Sequence, residues 1–294
     1  MTDTSIENLL SNDKPIINYC NELHLLYIEE KNAGDIFAKF LVESLVDARI
    51  IRANKKTSPK IFQLTGSIAN HSNNRTIILG TGVFMHQYGV EAFQECHAVR
   101  GTFTIGKIKH LTNNTDNIVL GDTGLLLDKL VGEQPEAIYE YGLILHYVDH
   151  KYARDILGED CTNDKVLIIN ILNDNLPDLA QKLSSCRKII SSTLHGMVFS
   201  HSLGIPVSWI RLRNTSLTSD DIKFYDYLSA FGFQHDRSLC TIIDKKLNLE
   251  DLKNLRRIDI NGDILEAKKN ELISCLVRVF RQHNYKIKPK YQIY

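Results

Sequence analysis

"RKIISSTLHGMVFSHSLGIPVSWIRL", from Arg187 to Leu212, decides the fold. "RKIISS" sets two isoleucines between basic residues and two serines and reads as a short strand. "GMVFSHSLG" follows with apolar residues at helical spacing, and "PVSWIRL" is a second apolar run. Strand, helix and strand in succession, with strands apolar on both faces, describe a parallel sheet covered by helices. One imidazole, His195, stands where the first strand gives way to the helix.

The same alternation runs along the chain. "LHLLYI" (Leu23–Ile28), "KIFQL", "TIILG", "CHAVR" and "NIVLGD" read as strands, and "DIFAKFLVESLV" (Asp35–Val46) reads as a helix. A second series holds "YGLILHYV", "KVLIIN", "RKIISS" and "PVSWIRL", with the helical pattern "LPDLAQKLSS" among them. Two such series predict an α/β chain of two doubly wound, Rossmann-like domains. The polar "LVGEQPEAIYE" (Leu130–Glu140) is the expected junction, dividing the chain into residues 1–132 and 133–294. "DILEAKKNELISCLVRVFRQHN" predicts a long amphipathic helix closing the second domain. In open parallel sheets ligands sit beyond the C-terminal strand ends, where helix N-termini offer free N–H groups to anions. A two-domain version places them in the cleft between its sheets.

The 294 residues contain 35 Lys plus Arg and 35 Asp plus Glu, a formal charge of zero. That balance argues against a general nucleic-acid binder, which needs a basic excess to neutralise phosphates. Six cysteines, at 20, 96, 161, 186, 240 and 275, form no CxxC pair, so neither a zinc knuckle nor a thioredoxin-type site is written. Free thiols, and a polar, acidic start in "MTDTSIENLLSNDKP" in place of an export signal, predict a reducing cytoplasmic setting. No apolar run approaches the length that spans a bilayer. From Leu272 onward the chain carries Arg278, Arg281, Lys286, Lys288 and Lys290 and no acid. Such a basic end suits contact with anionic lipid at the inner face of a membrane, or a plain solvated surface.

Several residues at strand ends are candidates for chemistry. His195, beside Gly196, is expected at the mouth of the sheet, near the start of a helix whose N-terminus lowers an imidazole's pKa while a bound anion raises it. The alternative is a structural histidine bonded within its own loop. Gly196 would let a ligand approach the backbone, and Ser192 ends the strand before it. Arg100, in "CHAVRGTFT", can fork onto a carboxylate or phosphate, or form a salt bridge at the domain surface. Asn32 and Asp35, in "NAGD", suit sugar hydroxyls, although Asp35 also suits a helix cap. Tyr27 offers an aromatic face to a sugar ring in the same loop. His146 ends the strand of "ILHYVDH", and Arg211 and Arg213 follow another strand in "WIRLRN". The chain has no GxGxxG, no DxD and no HExxH, so neither a nicotinamide cofactor nor a metal is expected.

Together these stretches resemble the polysaccharide pyruvyltransferase family. "SSTLHGMVFSHSLGIP" resembles its Ser-x-x-Leu-His-Gly signature, and "NAGD" its Asn-x-Gly-Asp entry motif. "GTGV", "AVRGTFT", "GDTGLLL" (Gly121–Leu127) and "IKFYDYLSAFG" (Ile222–Gly232) fall in the family's order. The resemblance implies a GT-B-like pair of Rossmann-like domains, phosphoenolpyruvate as donor, and a sugar of a surface polysaccharide or its lipid-linked precursor as acceptor. It implies no cofactor. Carried over residue by residue, it makes His195 the proton donor and Arg100, Ser192, Gly196, Arg211, Arg213 and His146 the donor site. The loop with Tyr27, Asn32 and Asp35, at the cleft edge, is expected on its own chemistry to take the acceptor. Many members carry Arg two residues before the signature histidine; here Thr193 stands there, so another cation must take its place. A GT-B glycosyltransferase using a nucleotide sugar, or a non-catalytic glycan-binding protein, would share the fold.

Overall fold

The computed structural model describes residues 18–29, 32–215 and 219–294, so the N-terminal stretch read above lies outside the described residues. The first sheet collects β1 (Glu22–Leu25), β2 (Arg49–Arg52), β3 (Ile61–Gln63), β4 (Thr76–Leu79), β5 (Glu95–Val99) and β6 (Val119–Leu120). Helices α1 (Ala33–Leu45), α2 (Thr102–Ile108) and α3 (Leu127–Leu130) belong to this part of the chain. All its strand pairs are parallel, in the order β2-β1-β3-β4-β5-β6.

The second sheet collects β7 (Tyr139–Ile144), β8 (Val166–Ile168), β9 (Cys186–Ser191), β10 (Val207–Leu212) and β11 (Cys240–Ile243). It too is parallel, in the order β11-β10-β9-β7-β8. Helices α4 (Leu176–Ser184), α5 (Leu194–Ser202), α6 (Ile222–Ser229), α7 (Leu249–Asn254) and α8 (Gly262–Gln282) follow. The chain is thus the expected pair of Rossmann-like units. β3 and β4, central in their sheet, are buried along their whole length, which is why they read as unbroken apolar runs. The outer strands β2 and β11 were not foreseen, because "RIIR" and "CTII" are short and partly exposed.

Each sheet order reverses once, between β1 and β3 in the first sheet and between β7 and β9 in the second. Crevices open at such reversals because the connections leave in opposite directions. The two reversals face each other. Phe37 of α1 meets Phe199 of α5 at 5.4 Å between ring centroids, and both belong to one hydrophobic core shared by the two domains. The main-chain N–H of Ala33 donates across the junction to the carbonyl of Ile171 at 3.0 Å.

The last helix departs from the expected division. α8 was assigned to residues 133–294, yet it packs on the first sheet. Phe280 lies 5.5 Å from Phe62 of β3, and Cys275 Sγ donates to the His97 carbonyl of β5. After α8 the main chain bonds back to Cys20, Leu45 and Asp47. The basic end is tied to the same domain: Lys286 pairs with Asp47, Lys288 donates to the Glu43 carbonyl, and Lys290 to the Lys129 carbonyl. No helix among the described residues is long and apolar enough to cross a membrane.

A buried ion pair also spans the domains. Arg100, just after β5, is fully buried, and its Nε donates to the carboxylate of fully buried Asp226 in α6 at 3.0 Å. Asp226 also accepts from the main-chain N–H and the hydroxyl of Thr104 in α2, at 2.9 and 2.7 Å. Gly101 lets the two helices meet, since a Cβ there would lie 1.6 Å from the Asp226 carbonyl oxygen. Removing one partner of a buried pair strands the other charge in low dielectric. Asp226→Ala is therefore expected to lower unfolding stability by about 3–5 kcal/mol in urea titrations. A loss below about 1 kcal/mol would be the size of an exposed pair and would deny the contact its clamping role.

Candidate active site

The facing reversals enclose a cleft of about 370 Å³. Ile28, Asn32 and Asp35 after β1, and Ser67 and Ile68 after β3, form one wall. His146, Tyr147 and Val148 after β7, and Thr193, Leu194 and His195 after β9, form the other. Phe84 and Lys223 complete it. Every contributing strand ends toward this cleft.

His195 lies in the first turn of α5, which begins at Leu194, two residues before the expected start at Gly196. Thr193 is the N-cap, in extended conformation, and its Oγ1 accepts from the Gly196 N–H at 2.9 Å. This turn aims the imidazole across the junction onto the first turn of α1. A Cβ on Gly34 would lie 1.8 Å from His195 Nδ1, so the glycine of "NAGD" is required by the ring's approach. Nε2 of His195 is buried and, among the described residues, has no hydrogen-bond partner. Burial, reinforced by the charges of Arg100 and Lys223, pushes its pKa down to about 3. The free site thus holds a neutral imidazole between two helix N-termini.

The other candidates divide. His146 lines the cleft; its main-chain N–H donates to Ser192 Oγ at 2.8 Å, and its buried Nδ1 has no partner among the described residues. Burial and then the Lys223 charge lower its pKa to about 4. Ser192 therefore positions His146. Asn32 and Asp35 line the cleft, and it is Asn32 that caps α1, accepting from the Gly34 N–H at 3.0 Å; the cap read at Asp35 is corrected. Tyr27 lines an adjoining cavity with Arg52 and Lys55, which shares Ile28 and Ile68 with the cleft.

The arginines are corrected. Arg100 lies beneath the cleft, with Nη1 donating to Ser67 Oγ at 2.7 Å and Nη2 to the Val83 carbonyl, so its fork is filled by the protein. Arg211 is paired with Asp221 beside the cleft. Exposed Arg213 pairs with Asp244 at 2.6 Å and lines a separate depression with Lys245 and Lys246. Gly196 serves packing, since a Cβ there would lie 2.3 Å from Ser191 Oγ.

Lys223 is the functional residue that the sequence reading passed over. It lines the cleft at only 8 % exposure. Burial and then the Arg100 charge lower its pKa to about 8, with Asp221 and Asp35 opposing. Its signal was a lysine amid apolar neighbours in "IKFYDYLSAFG". Among the described residues, no group of three or more His, Cys, Asp or Glu gathers as a metal site.

Two Rossmann-like domains meeting at a cleft that holds an orphaned imidazole, an ammonium and a carboxylate define a GT-B-like transferase architecture. The model of the polysaccharide pyruvyl transferase family matches residues 32–214, and the chain belongs to that family. It is also 44% identical over 281 residues to "Uncharacterized protein L143" of Acanthamoeba polyphaga mimivirus, an alignment covering 93% of this chain and 97% of that protein.

The close approach at Gly34 is directly testable. Gly34→Ala is expected to keep α1, since alanine favours helix by about 1 kcal/mol over glycine, and to expel the His195 ring. Followed by NMR, the wild-type ring should stay neutral well below pH 6, whereas the displaced ring should titrate near the ordinary value of about 6.5. A wild-type His195 that already titrates near that value would refute the buried, neutral state.

Proposed function

We propose that this chain transfers the pyruvyl group of phosphoenolpyruvate onto two hydroxyls of one sugar, in a surface polysaccharide or its lipid-linked precursor, closing a cyclic ketal. The observation that carries the proposal is the orphaned Nε2 of the signature histidine, buried in a cleft that also offers a cation and a carboxylate.

Phosphoenolpyruvate is an enol ester of phosphate. Protonation of its methylene carbon makes the adjacent carbon electrophilic; one sugar hydroxyl adds there, the C–O bond to phosphate breaks, and the second hydroxyl closes the ring. The methylene gains one proton, the hydroxyls give up two, and phosphate departs with the other. His195 is the proton donor. Burial, then the charges of Arg100 and Lys223, keep it neutral; a multiply anionic donor offsets the charge part of that cost and pairs with the imidazolium, which favours the proton. An imidazolium formed this way lies next to the carbon that needs its proton. Asp35, on the opposite wall, accepts hydrogen bonds from the attacking hydroxyls, with Asn32 beside it. The adjoining cavity with Tyr27 gives a longer glycan room to continue. A lipid-linked acceptor would bring the reaction to a membrane surface.

The test incubates the purified chain with phosphoenolpyruvate and a panel of aryl and lipid-linked glycosides in excess chelator, reading phosphate release and product mass. Ketal-bearing product is expected. Turnover of nucleotide sugars with no effect of phosphoenolpyruvate would replace this reading with a glycosyltransferase. His195→Gln should fold normally and lose turnover by two or more orders of magnitude, about the size of a general-acid contribution. Near-normal release in the folded variant would remove His195 from the mechanism.

A further inference from the structure

The cavity that holds Tyr27 opens beyond the C-terminal ends of β1 and β2 and measures about 240 Å³. It shares Ile28 and Ile68 with the cleft, so a chain molecule seated in the cleft can continue into it. Tyr27 offers a partly buried ring, and Arg52, Lys55 and His71 supply the polar lining.

Charge around this cavity is unbalanced, in a chain whose formal charge is zero. Elsewhere on the surface cations meet carboxylates: Lys182 meets Asp178, Arg213 meets Asp244, and Lys286 meets Asp47. Here Arg52 pairs with Glu29 at 2.7 Å, but among the described residues none of Lys55, Lys56 and Arg75 makes an ion pair with a carboxylate. Lys55 Nζ instead lies 3.0 Å from His71 Nδ1. An ammonium has no lone pair to offer, so the imidazole nitrogen accepts; the ring is neutral and its Nε2–H remains a donor. Burial and then the Lys55 charge lower the His71 pKa in the same sense. The lysine is also held by its loop. Its carbonyl accepts from Asn73 Nδ2 at 3.1 Å and from Arg75 Nη2, and the Lys56 carbonyl accepts from Arg75 Nη1 at 3.0 Å. Gathered like charges repel, and a bound anion relieves the repulsion.

The depression beside β10 and β11 differs on both counts. Its Arg213 and Lys245 are matched by Asp244 and Asp251, and it shares no lining residue with the cleft.

We infer that the Tyr27 cavity is a subsite for a negatively charged group on the acceptor, carried next to the sugar that receives the ketal, with Lys55 as its anchor. The inference rests on the pyruvyl-transfer reading and narrows its acceptor to an acidic glycan. The anion has two possible sources, an acidic group on the glycan itself or the diphosphate that joins a short glycan to its lipid. Both present charged oxygens to the Lys55 ammonium and the His71 Nε2–H.

The full chain is titrated by NMR with methyl glucuronide, methyl glucoside and inorganic diphosphate, reading the His71 ring. The ring signals should shift and saturate with the glucuronide, the diphosphate or both, and not with the neutral glucoside, and added salt should weaken the response. A response to the glucuronide assigns the charge to the glycan, and a response to the diphosphate alone assigns it to the lipid carrier. Lys55→Gln should weaken anion binding by about fivefold, the upper scale of an exposed ion pair. Lys55→Arg should recover part of it, and Lys245→Gln should leave it unchanged. No response of His71 to either anion overturns the inference, as does an equal response to the glucoside. An equal loss in Lys245→Gln reduces the effect to general surface charge and also overturns it. Pyruvyl transfer to acidic and neutral glycosides with equal KM overturns the inference and leaves the pyruvyl-transfer reading standing. Lys55-dependent anion binding at His71 in a chain that transfers no pyruvyl group overturns that reading and keeps the anion site.

Discussion

The buried ion pair between Arg100 and Asp226 holds the rest of the arrangement in place. It joins the end of β5 in one domain to α6 in the other, and Thr104 supplies two further hydrogen bonds to the same carboxylate. A pair of this kind adds little net stability over an apolar pair of equal volume, because both charges leave water. Its hydrogen bonds are directional, however, and an apolar contact would tolerate many relative orientations. The pair therefore selects one orientation, the one in which the two sheet reversals face each other. The contact of Phe37 with Phe199 supplies apolar burial at that junction without the same directionality.

The clamp also sets the electrostatics of the cleft. Arg100 never reaches the surface, yet its charge is among the causes that lower the pKa of both His195 and Lys223. Burial acts in the same direction on each. Both groups are thus held away from their charged forms, chiefly by burial and secondarily by like charge, and a bound anion would offset only the second. The imidazole is kept neutral by burial and fixed charge alone, without any moving part.

Much of this was legible in the sequence, and the illegible parts share a cause. Strands buried on both faces announce themselves as apolar runs, and the rule that ligands gather beyond C-terminal strand ends led from those runs to His195, His146, Asn32 and Asp35. All four line one cleft. Pairing partners distant in sequence were not legible. Arg100 reads as a free fork at a strand end because nothing in "CHAVRGTFT" reveals Asp226, and the same holds for Arg211 with Asp221 and Arg213 with Asp244. The periodicity of α8 marks its buried face but not the sheet that covers it. Lys223 was hidden by the opposite error, since a lysine in a helix is ordinarily solvated.

The threonine before the signature histidine has a local logic. An N-cap in extended conformation needs a short side-chain acceptor for the N–H groups of the first turn, and Thr193 provides one to Gly196. An arginine there has no acceptor and leaves that N–H unsatisfied by its cap. Lys223 and Asp226 lie three residues apart, so they share a face of α6. The helix that clamps the domains is thus also the helix that brings Lys223 to the cleft, and across the ion pair Arg100 Nη1 holds Ser67 on the opposite wall. The two walls are fixed relative to each other by contacts the protein already makes, which is the preorganisation that electrostatic catalysis requires.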